Sequence, residues 1–234
     1  MLFGKHHVSV PPFSIPICNI NTPRPCKSSH KDPGLWISND LSLSFIRFHA
    51  ATKATRITNF LRPNISHLTP ELFKLIFASF IRPHFEYCAQ AWVPTKVKDR
   101  TLLENVQRRF SKQVVALRPH DYQTRRSRLN IFPTHYRRVR GCIILCFQLY
   151  LRNELFNFFS PPPVLHLRGH QAKLYTVRPF TSTRKHFFSH FIVPYWNLLP
   201  MTIFDHTSLK PFKKSLDLVL PSIIDKVEGP FWRY

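Results

Sequence analysis

Proline outnumbers glycine by 21 to five in this chain of 234 residues, and that imbalance limits how the backbone can run. Proline lacks an amide hydrogen and fixes φ near −65°, so it suits helix starts and corners and breaks helix interiors. Glycine, the usual flexible joint, is nearly absent. The pattern predicts helices punctuated by stiff corners, with apolar content ordinary enough for a packed core.

Residues 1–40 read as extended. Val8-Ser9-Val10, Ser14-Ile15-Pro16-Ile17-Cys18 and Leu35-Trp36-Ile37 are short β-like pieces, the last opened by the turn signature Asp32-Pro33-Gly34. Strands this short need a further surface to pack on. From residue 41 the apolar period becomes helical. Leu43, Ile46, Ala50, Ala54, Ile57 and Leu61 make one stripe, with Arg47, Lys53 and Arg56 largely off it. Thr69-Pro70-Glu71 is a helix start: an N-cap, a proline at the first position and an acid at the positive end of the dipole. Leu72, Leu75, Ile76 and Phe80 follow as its apolar face, and Pro83 ends or bends that helix. Residues 99–117 form the best amphipathic segment, buried along Leu102, Leu103, Val106, Phe110 and Val114. A shorter helix is expected within 118–130. Another runs from a Thr134 cap to about Arg152, buried along Val139, Ile143, Cys146, Phe147 and Tyr150. Ser160-Pro161-Pro162-Pro163 reads as an extended spacer, and Ser208 as the cap of a last short helix through Phe212, Leu216 and Val219. The fold class expected is mainly α with a small N-terminal β piece (α+β), organised as a helical bundle.

Charge constrains the partner. Lys and Arg number 34 against 12 acids, a formal net charge of +22. An excess of this size points to a polyanion, above all nucleic acid. The basic residues are not gathered in one amphipathic segment, as a membrane-surface helix requires. The longest apolar run, 142–147 extended to 151, is too short for a bilayer, and no secretory signal is visible. With five cysteines at irregular spacing, no disulfide framework is expected. These features together predict an intracellular protein of nucleus or cytoplasm.

Arg108, Arg109 and Lys112 share one segment, and Arg137, Arg138 and Arg140 stand at the start of another. They are the candidate phosphate contacts; the competing reading is an ordinary solvated helix face. Cys88 with His84 resembles a nucleophile and base, but no acid or oxyanion element supports the pair, so Arg82–Cys88 reads as a corner in which Tyr87 and Trp92 pack. Cys142 and Cys146, and the looser Cys18, Cys26 and His30, lack the two close pairs of a zinc site and read as buried or loop residues. His166 and His170 read as loop histidines. Trp196 and Phe187-Phe188 read as a small C-terminal core rather than a base-stacking platform.

Several consecutive stretches resemble the C-terminal part of reverse transcriptases from non-LTR retrotransposons of the jockey-like, chicken-repeat type. Lys31-Asp32-Pro33-Gly34 with Ile37-Ser38-Asn39-Asp40-Leu41 resembles that family's KDLG-containing stretch. Ile81-Arg82-Pro83-His84-Phe85-Glu86-Tyr87-Cys88 with Gln90-Ala91-Trp92 resembles its RPHLEYC and QAW block. Leu103-Glu104-Asn105-Val106-Gln107-Arg108-Arg109-Phe110 is similar to its VQRR helix, and Tyr136-Arg137-Arg138-Val139-Arg140-Gly141 to its RR-x-RG element. Arg168-Gly169-His170, Phe187-Phe188-Ser189, Trp196-Asn197-Leu198-Leu199-Pro200 and Phe212-Lys213-Lys214-Ser215-Leu216-Asp217 follow in the family's order.

The resemblance covers about residues 31–218. It implies a palm remnant with a primer-grip-like turn at Lys31, Asp32 and Gly34 within residues 1–40, and a helical thumb-like domain over 41–155. A Pro-rich linker at 156–163, a C-terminal segment at 164–220 and a tail at 221–234 complete the division. Arg108, Arg109, Lys112, Arg137, Arg138 and Arg140 become thumb contacts to RNA or DNA backbone, and Tyr87, Trp92 and Trp196 structural residues. Pro33 departs from the family's usual leucine. Polymerisation in that family needs metal ions held by paired carboxylates, and no two acids are adjacent in this sequence. The expectation is therefore a truncated polymerase piece, begun downstream of the catalytic strand, with no catalytic residues, no cofactor and no small-molecule substrate. Mg2+ would belong only to the intact parent polymerase. Two rival expectations are a domesticated RNA-binding protein and a nonfunctional reading frame with no stable fold.

Overall fold

The computed structural model describes residues 14–17, 20–23, 29–32, 35–38, 44–93, 96–163 and 170–229. Val8-Ser9-Val10, Cys18, Cys26, Gly34, His166, Arg168-Gly169 and the last five residues lie outside them. The described chain is mainly helical, with a small β portion at its N-terminal end. Strands β1 (Ser14–Ile17) and β2 (Ile20–Pro23) form one antiparallel pair, and β3 (Ser29–Asp32) and β4 (Leu35–Ser38) a second, with Asp32 opposite Leu35. The second pair finds its packing surface on α1 (Ser44–Asn64): the Trp36 ring stacks on His49 at 5.4 Å and meets Phe45 edge-on at 5.6 Å.

α2 (Pro70–Ile76) begins where Thr69 Oγ accepts the Leu72 amide at 3.2 Å. It continues through a π-turn at Phe77–Ile81, in which the Arg82 amide reaches back to the Phe77 carbonyl, into α3 (Arg82–Glu86). Pro83 therefore neither ends the helix nor only bends it. A proline removes one amide donor, and a π-turn is a place where the i→i−4 ladder is already interrupted. The extra residue in the turn also changes which side faces inward. Phe73, Ile76, Phe77, Ile81 and Phe85 are buried, while the expected core residues Leu75 and Phe80 are 64% and 56% exposed.

α4 (Val97–Ser111), α5 (Tyr122–Leu129) and α6 (Thr134–Leu151) follow. Asp121 caps α5 by accepting the amides of Gln123 and Thr124 at 3.0 and 3.3 Å. The first residue of α6 is Thr134 itself, and its cap comes from elsewhere. Glu104, on α4, accepts the Thr134 amide at 2.8 Å and its hydroxyl at 2.7 Å, placing a carboxylate at the positive end of the α6 dipole.

Two apolar cores result. The first unites α1, α2 to α3, α4 and Leu129, with Phe73 stacked between Phe77 and Phe110 at ring separations of 5.5 and 4.8 Å. The second is built on α6, α7 (Leu155–Phe158), α9 (Phe188–Phe191), α10 (Val193–Asn197) and α11 (Leu209–Glu228), while α8 (Ser182–Lys185) turns Arg184 and Lys185 out to solvent. At its centre Phe147 and Phe212 stack at 3.7 Å, and Trp196 is fully buried with its indole N–H donated to the Ala172 carbonyl at 2.6 Å. Each fully buried ring contributes roughly 1.5–3 kcal/mol.

Two expected boundaries meet a different packing. Phe159 on one side of the proline run and Ala172 and Leu174 on the other share the second core, and the Ser160 carbonyl accepts the Tyr175 amide at 2.9 Å. Helix α6 carries that core as well, so the described part of that segment, 170–220, does not pack apart from 41–155. The expected tail at 221–234 is helical to Glu228: α11 passes through Pro221 and buries Ile223 and Ile224 beyond it. No helix among the described residues is long and apolar enough to cross a membrane.

Candidate nucleic-acid interface

The C-terminal halves of α1 and α4 lie side by side and leave a cleft of about 340 Å³ between them. From α1 come Thr55, Thr58, Asn59 and Arg62; from α4 and the loop after it come Val106, Arg109, Lys112, Gln113 and Arg118. A second cavity of about 220 Å³ adjoins it, shares Arg62, Gln113 and Arg118, and is completed by Ile65, Ser66, Leu68 and Val115. Four exposed cations therefore face one groove, and no acid lines it. Among the described residues none of the four is ion-paired with a carboxylate. Arg62 and Arg109 stand in the last turns of their helices, where a cation also complements the dipole.

The expected phosphate contacts divide sharply. Arg109 and Lys112 line the groove. Arg108 is exposed beside it, its guanidinium 4.9 Å from the Tyr122 ring centre. Arg137, Arg138 and Arg140 are corrections. Arg138 is 3% exposed, donates to the carbonyls of Phe85, Ala89 and Trp92, and lies 3.8 Å over the Trp92 ring. Burial lowers its pKa to about 10, so it remains a cation at neutral pH. Arg137 donates to Glu86 at 2.7 Å, to Gln107 at 2.9 Å and to the Phe132 carbonyl at 2.5 Å. Arg140 forms a two-pronged pair with Asp217 at 2.5 and 2.9 Å, which raises its pKa. Arg137 and Arg138 tie helices together from buried positions, and Arg140, half-buried, commits its guanidinium to Asp217.

Arg47, expected off the apolar stripe, is buried too. It pairs with Asp99 at 2.5 Å and donates to the Val93 carbonyl at 2.5 Å. Tyr87, expected to pack, is 52% exposed; its carbonyl accepts the Trp92 indole N–H at 2.9 Å, and Trp92 is the buried partner. Cys142 and Cys146 are buried thiols whose pKa values burial pushes up, to about 12 for Cys142. His170 lies outside any helix or strand, as expected, and is buried there, stacked on Phe204 at 4.1 Å. Among the described residues no three His, Cys, Asp or Glu side chains gather as metal ligands do.

Lys31 is exposed, 6.0 Å from the Trp36 ring. Its hairpin packs on α1 near His49, whereas the groove begins at Thr55 and reaches Arg62. At 1.5 Å per residue, His49 and the near end of the groove at Thr55 are roughly 9 Å apart along the helix, and Lys31 is not among the residues that line the groove. Sequence reading missed Arg62 and Arg118 as site residues; their one shared signal is that each stands directly before a proline, Pro63 and Pro119, where a helical segment gives way.

A further polar cluster joins the two ends of the fold. Glu228, at the end of α11, receives Arg100 of α4, the His135 ring at 2.9 Å and the Tyr195 hydroxyl. Burial works to raise its carboxyl, and these donors overcome it, holding the pKa at about 2. Burial keeps His135 neutral, which makes its Nε2–H the donor to the carboxylate.

Comparison with protein-family models, with curated proteins and with solved structures gave no match.

Proposed function

We propose that this chain is a nucleic-acid-holding module of the non-LTR retrotransposon reverse transcriptase type. It grips RNA or DNA backbone through the groove between α1 and α4 and performs no polymerisation itself. The observation that carries this reading is four exposed cations, Arg62, Arg109, Lys112 and Arg118, around one cleft lined by no carboxylate. The ordered sequence motifs supply the family, and the absence of any adjacent acidic pair in the sequence argues against two-metal chemistry. Contacts of this kind position a polymer without reading its bases. The reading puts the protein where RNA and DNA are, in the nucleus or cytoplasm.

The test is binding of a labelled oligonucleotide at several salt concentrations. Four phosphate contacts give a slope of log affinity against log salt of about −3 to −4. Arg109→Ala with Lys112→Ala should weaken binding and flatten that slope by about 2. Binding that ignores salt, or that survives the double substitution unchanged, sinks the reading. Metal-dependent primer extension by the purified chain would overturn its noncatalytic half.

A further inference from the structure

Phe159 belongs to the second core, but three aromatic rings close to it do not. Phe158, the residue before it, is 60% exposed. Tyr175 is 44% exposed and stands opposite Ser160, whose carbonyl accepts its amide at 2.9 Å. Phe187 is 51% exposed, while its neighbour Phe188 meets Phe159 edge-on at 5.5 Å. Of the Phe187–Phe188 pair, then, only Phe188 packs on the core. The exposure follows from the backbone: Phe159 and Leu174 turn inward, so Ser160 and Tyr175, one residue further along each segment, turn outward. Among the described residues none of the three exposed rings meets another ring, so each leaves ring surface to solvent.

The charge beside these rings has one sign. Between Glu154 and Asp205 the sequence contains no acid. Arg178, Arg184 and Lys185 lie on the stretch that runs from Tyr175 to Phe187; all three are exposed, and among the described residues none is ion-paired. The Phe187 amide donates to the Arg184 carbonyl at 3.1 Å, which keeps that cation within one turn of the ring. Exposed rings among unopposed cations fit a partner with flat apolar faces and negative charge. A single-stranded nucleic acid has both, since unpaired bases stack on aromatic side chains while phosphates meet the cations. A duplex keeps its bases stacked inside and meets such a surface with phosphates alone. An anionic membrane surface is met by one amphipathic helix, whereas these rings come from three segments joined by packing. A protein interface is ordinarily poor in charge at its core.

We infer that Phe158, Tyr175 and Phe187, with Arg178, Arg184 and Lys185 beside them, form a second nucleic-acid surface, one that takes single strands by stacking unpaired bases. It shares no residue with the groove between α1 and α4 and goes beyond the backbone-binding reading.

Fluorescence anisotropy of the full chain with labelled oligodeoxythymidylate, and with the same strand paired to oligodeoxyadenylate, tests it. The single strand should bind at least about tenfold more tightly than the duplex. Phe158→Leu with Phe187→Leu keeps apolar side chains but removes two stacking faces; it should weaken the single strand about tenfold and leave the duplex unchanged. Arg178→Ala with Arg184→Ala should flatten the single-strand salt slope by about 1.4, and because both arginines are exposed this variant carries the test if the first fails to fold. Equal affinity for single strand and duplex overturns the inference, as does a preference that survives Phe158→Leu with Phe187→Leu or a slope that survives the arginine pair. Self-association, or binding to phosphatidylserine vesicles, that the ring substitutions abolish while strand affinity holds also overturns it and gives the rings to that partner. Arg109→Ala with Lys112→Ala separates the two readings. If it changes neither nucleic acid while the ring-dependent preference remains, the groove falls and this surface stands; if it weakens both and no ring-dependent preference exists, the groove stands and this surface falls.

Discussion

Arg138 and Arg109 are the same residue type in two physical situations, and substitution should separate them. The Arg138 guanidinium gathers three carbonyls at the end of α3 and in the turn that follows, where helix-end acceptors have no other donors. Arg138→Ala should cost about 3 kcal/mol in urea unfolding, because those acceptors stay buried and unsatisfied. Arg138→Lys should recover little of it, since an ammonium cannot fork across three separate oxygens. Arg109→Ala should change stability by no more than about 0.5 kcal/mol and should be felt in nucleic-acid binding instead. A stable Arg138→Ala protein with weakened binding would reverse these assignments. The Glu228 cluster gives a pH prediction at the same scale. The folded carboxyl sits at about 2 against an ordinary 4.5, so its stabilisation is full above about pH 4.5 and fades as pH falls toward 2. His135 is shifted the opposite way for a base: its folded pKa is lowered, so the unfolded chain takes up that proton first as pH drops below 6.5, and stability falls there too. Unfolding free energy should therefore decline in two stages from pH 7 downward. Glu228→Gln should shrink the lower stage, to which Asp121, its carboxyl lowered by the Thr124 hydroxyl, also contributes; a profile identical to that of the unsubstituted chain would show that Glu228 is not held as described.

Among the helices, α6 and α11 make the most testable claims. Gly141 stands inside α6, and a Cβ added there meets nothing within 4 Å. Gly141→Ala should raise stability by about 0.5–1 kcal/mol, the helix-interior cost of glycine. In α11, Ile224 is fully buried beyond Pro221 and Leu218 is 83% exposed. Ile224→Ala should cost about 2–5 kcal/mol and Leu218→Ala almost nothing; equal effects would mean that the helix does not dock past its proline. The α4 stripe was legible because Leu103, Val106 and Phe110 repeat at helical spacing, although the helix stops at Ser111 and Val114 is buried beyond its end. The α2 face was not: α2 turns Phe73 and Ile76 inward and so Leu75 outward, and the π-turn at Phe77–Ile81 adds a residue that no periodicity announces, which leaves Phe80 outside. The cap of α6 was illegible for a different reason: Glu104 is 30 residues from Thr134, and local capping rules look only a few residues away. The same holds for the groove. Arg109 and Lys112 could be picked from α4, but Arg62 and Arg118 join them only through the packing of α1 against α4. Nothing in a basic sequence tells a buried Arg47 or Arg138 from an exposed Arg118, since burial depends on acceptors some 50 positions away.

Across the whole molecule, the few acids explain where the free charge ends up. Asp99, Glu86, Asp217 and Glu228 pair with Arg47, Arg82 and Arg137, Arg140 and Arg100. These four carboxylates are thus committed to those arginines, while the groove keeps its cations unopposed. The same contacts bind the two cores into one unit. Helix α6 enters the first core with Arg137 and Arg138 and fills the second with Val139, Ile143 and Phe147, and Glu228 draws α4, α6 and α10 together. Neither core can then lose its structure while α6 stays in place, and a single unfolding transition is expected. Trp92 reports the first core and Trp196 the second. In variants whose other tryptophans are phenylalanine, the fluorescence midpoint in urea should equal that from far-UV circular dichroism of the same variant. Glu228→Ala should lower the two midpoints together. Midpoints that separate would mean that α6 is a seam between independent units, and the absence of any transition would support a chain without a stable fold and remove the groove altogether. Coincidence matters for function because the groove walls are α1 and α4: if the cores are coupled, changes in the second core far from the groove should leave nucleic-acid affinity unchanged until they unfold an appreciable fraction of the chain, and then lower it in step with the folded fraction.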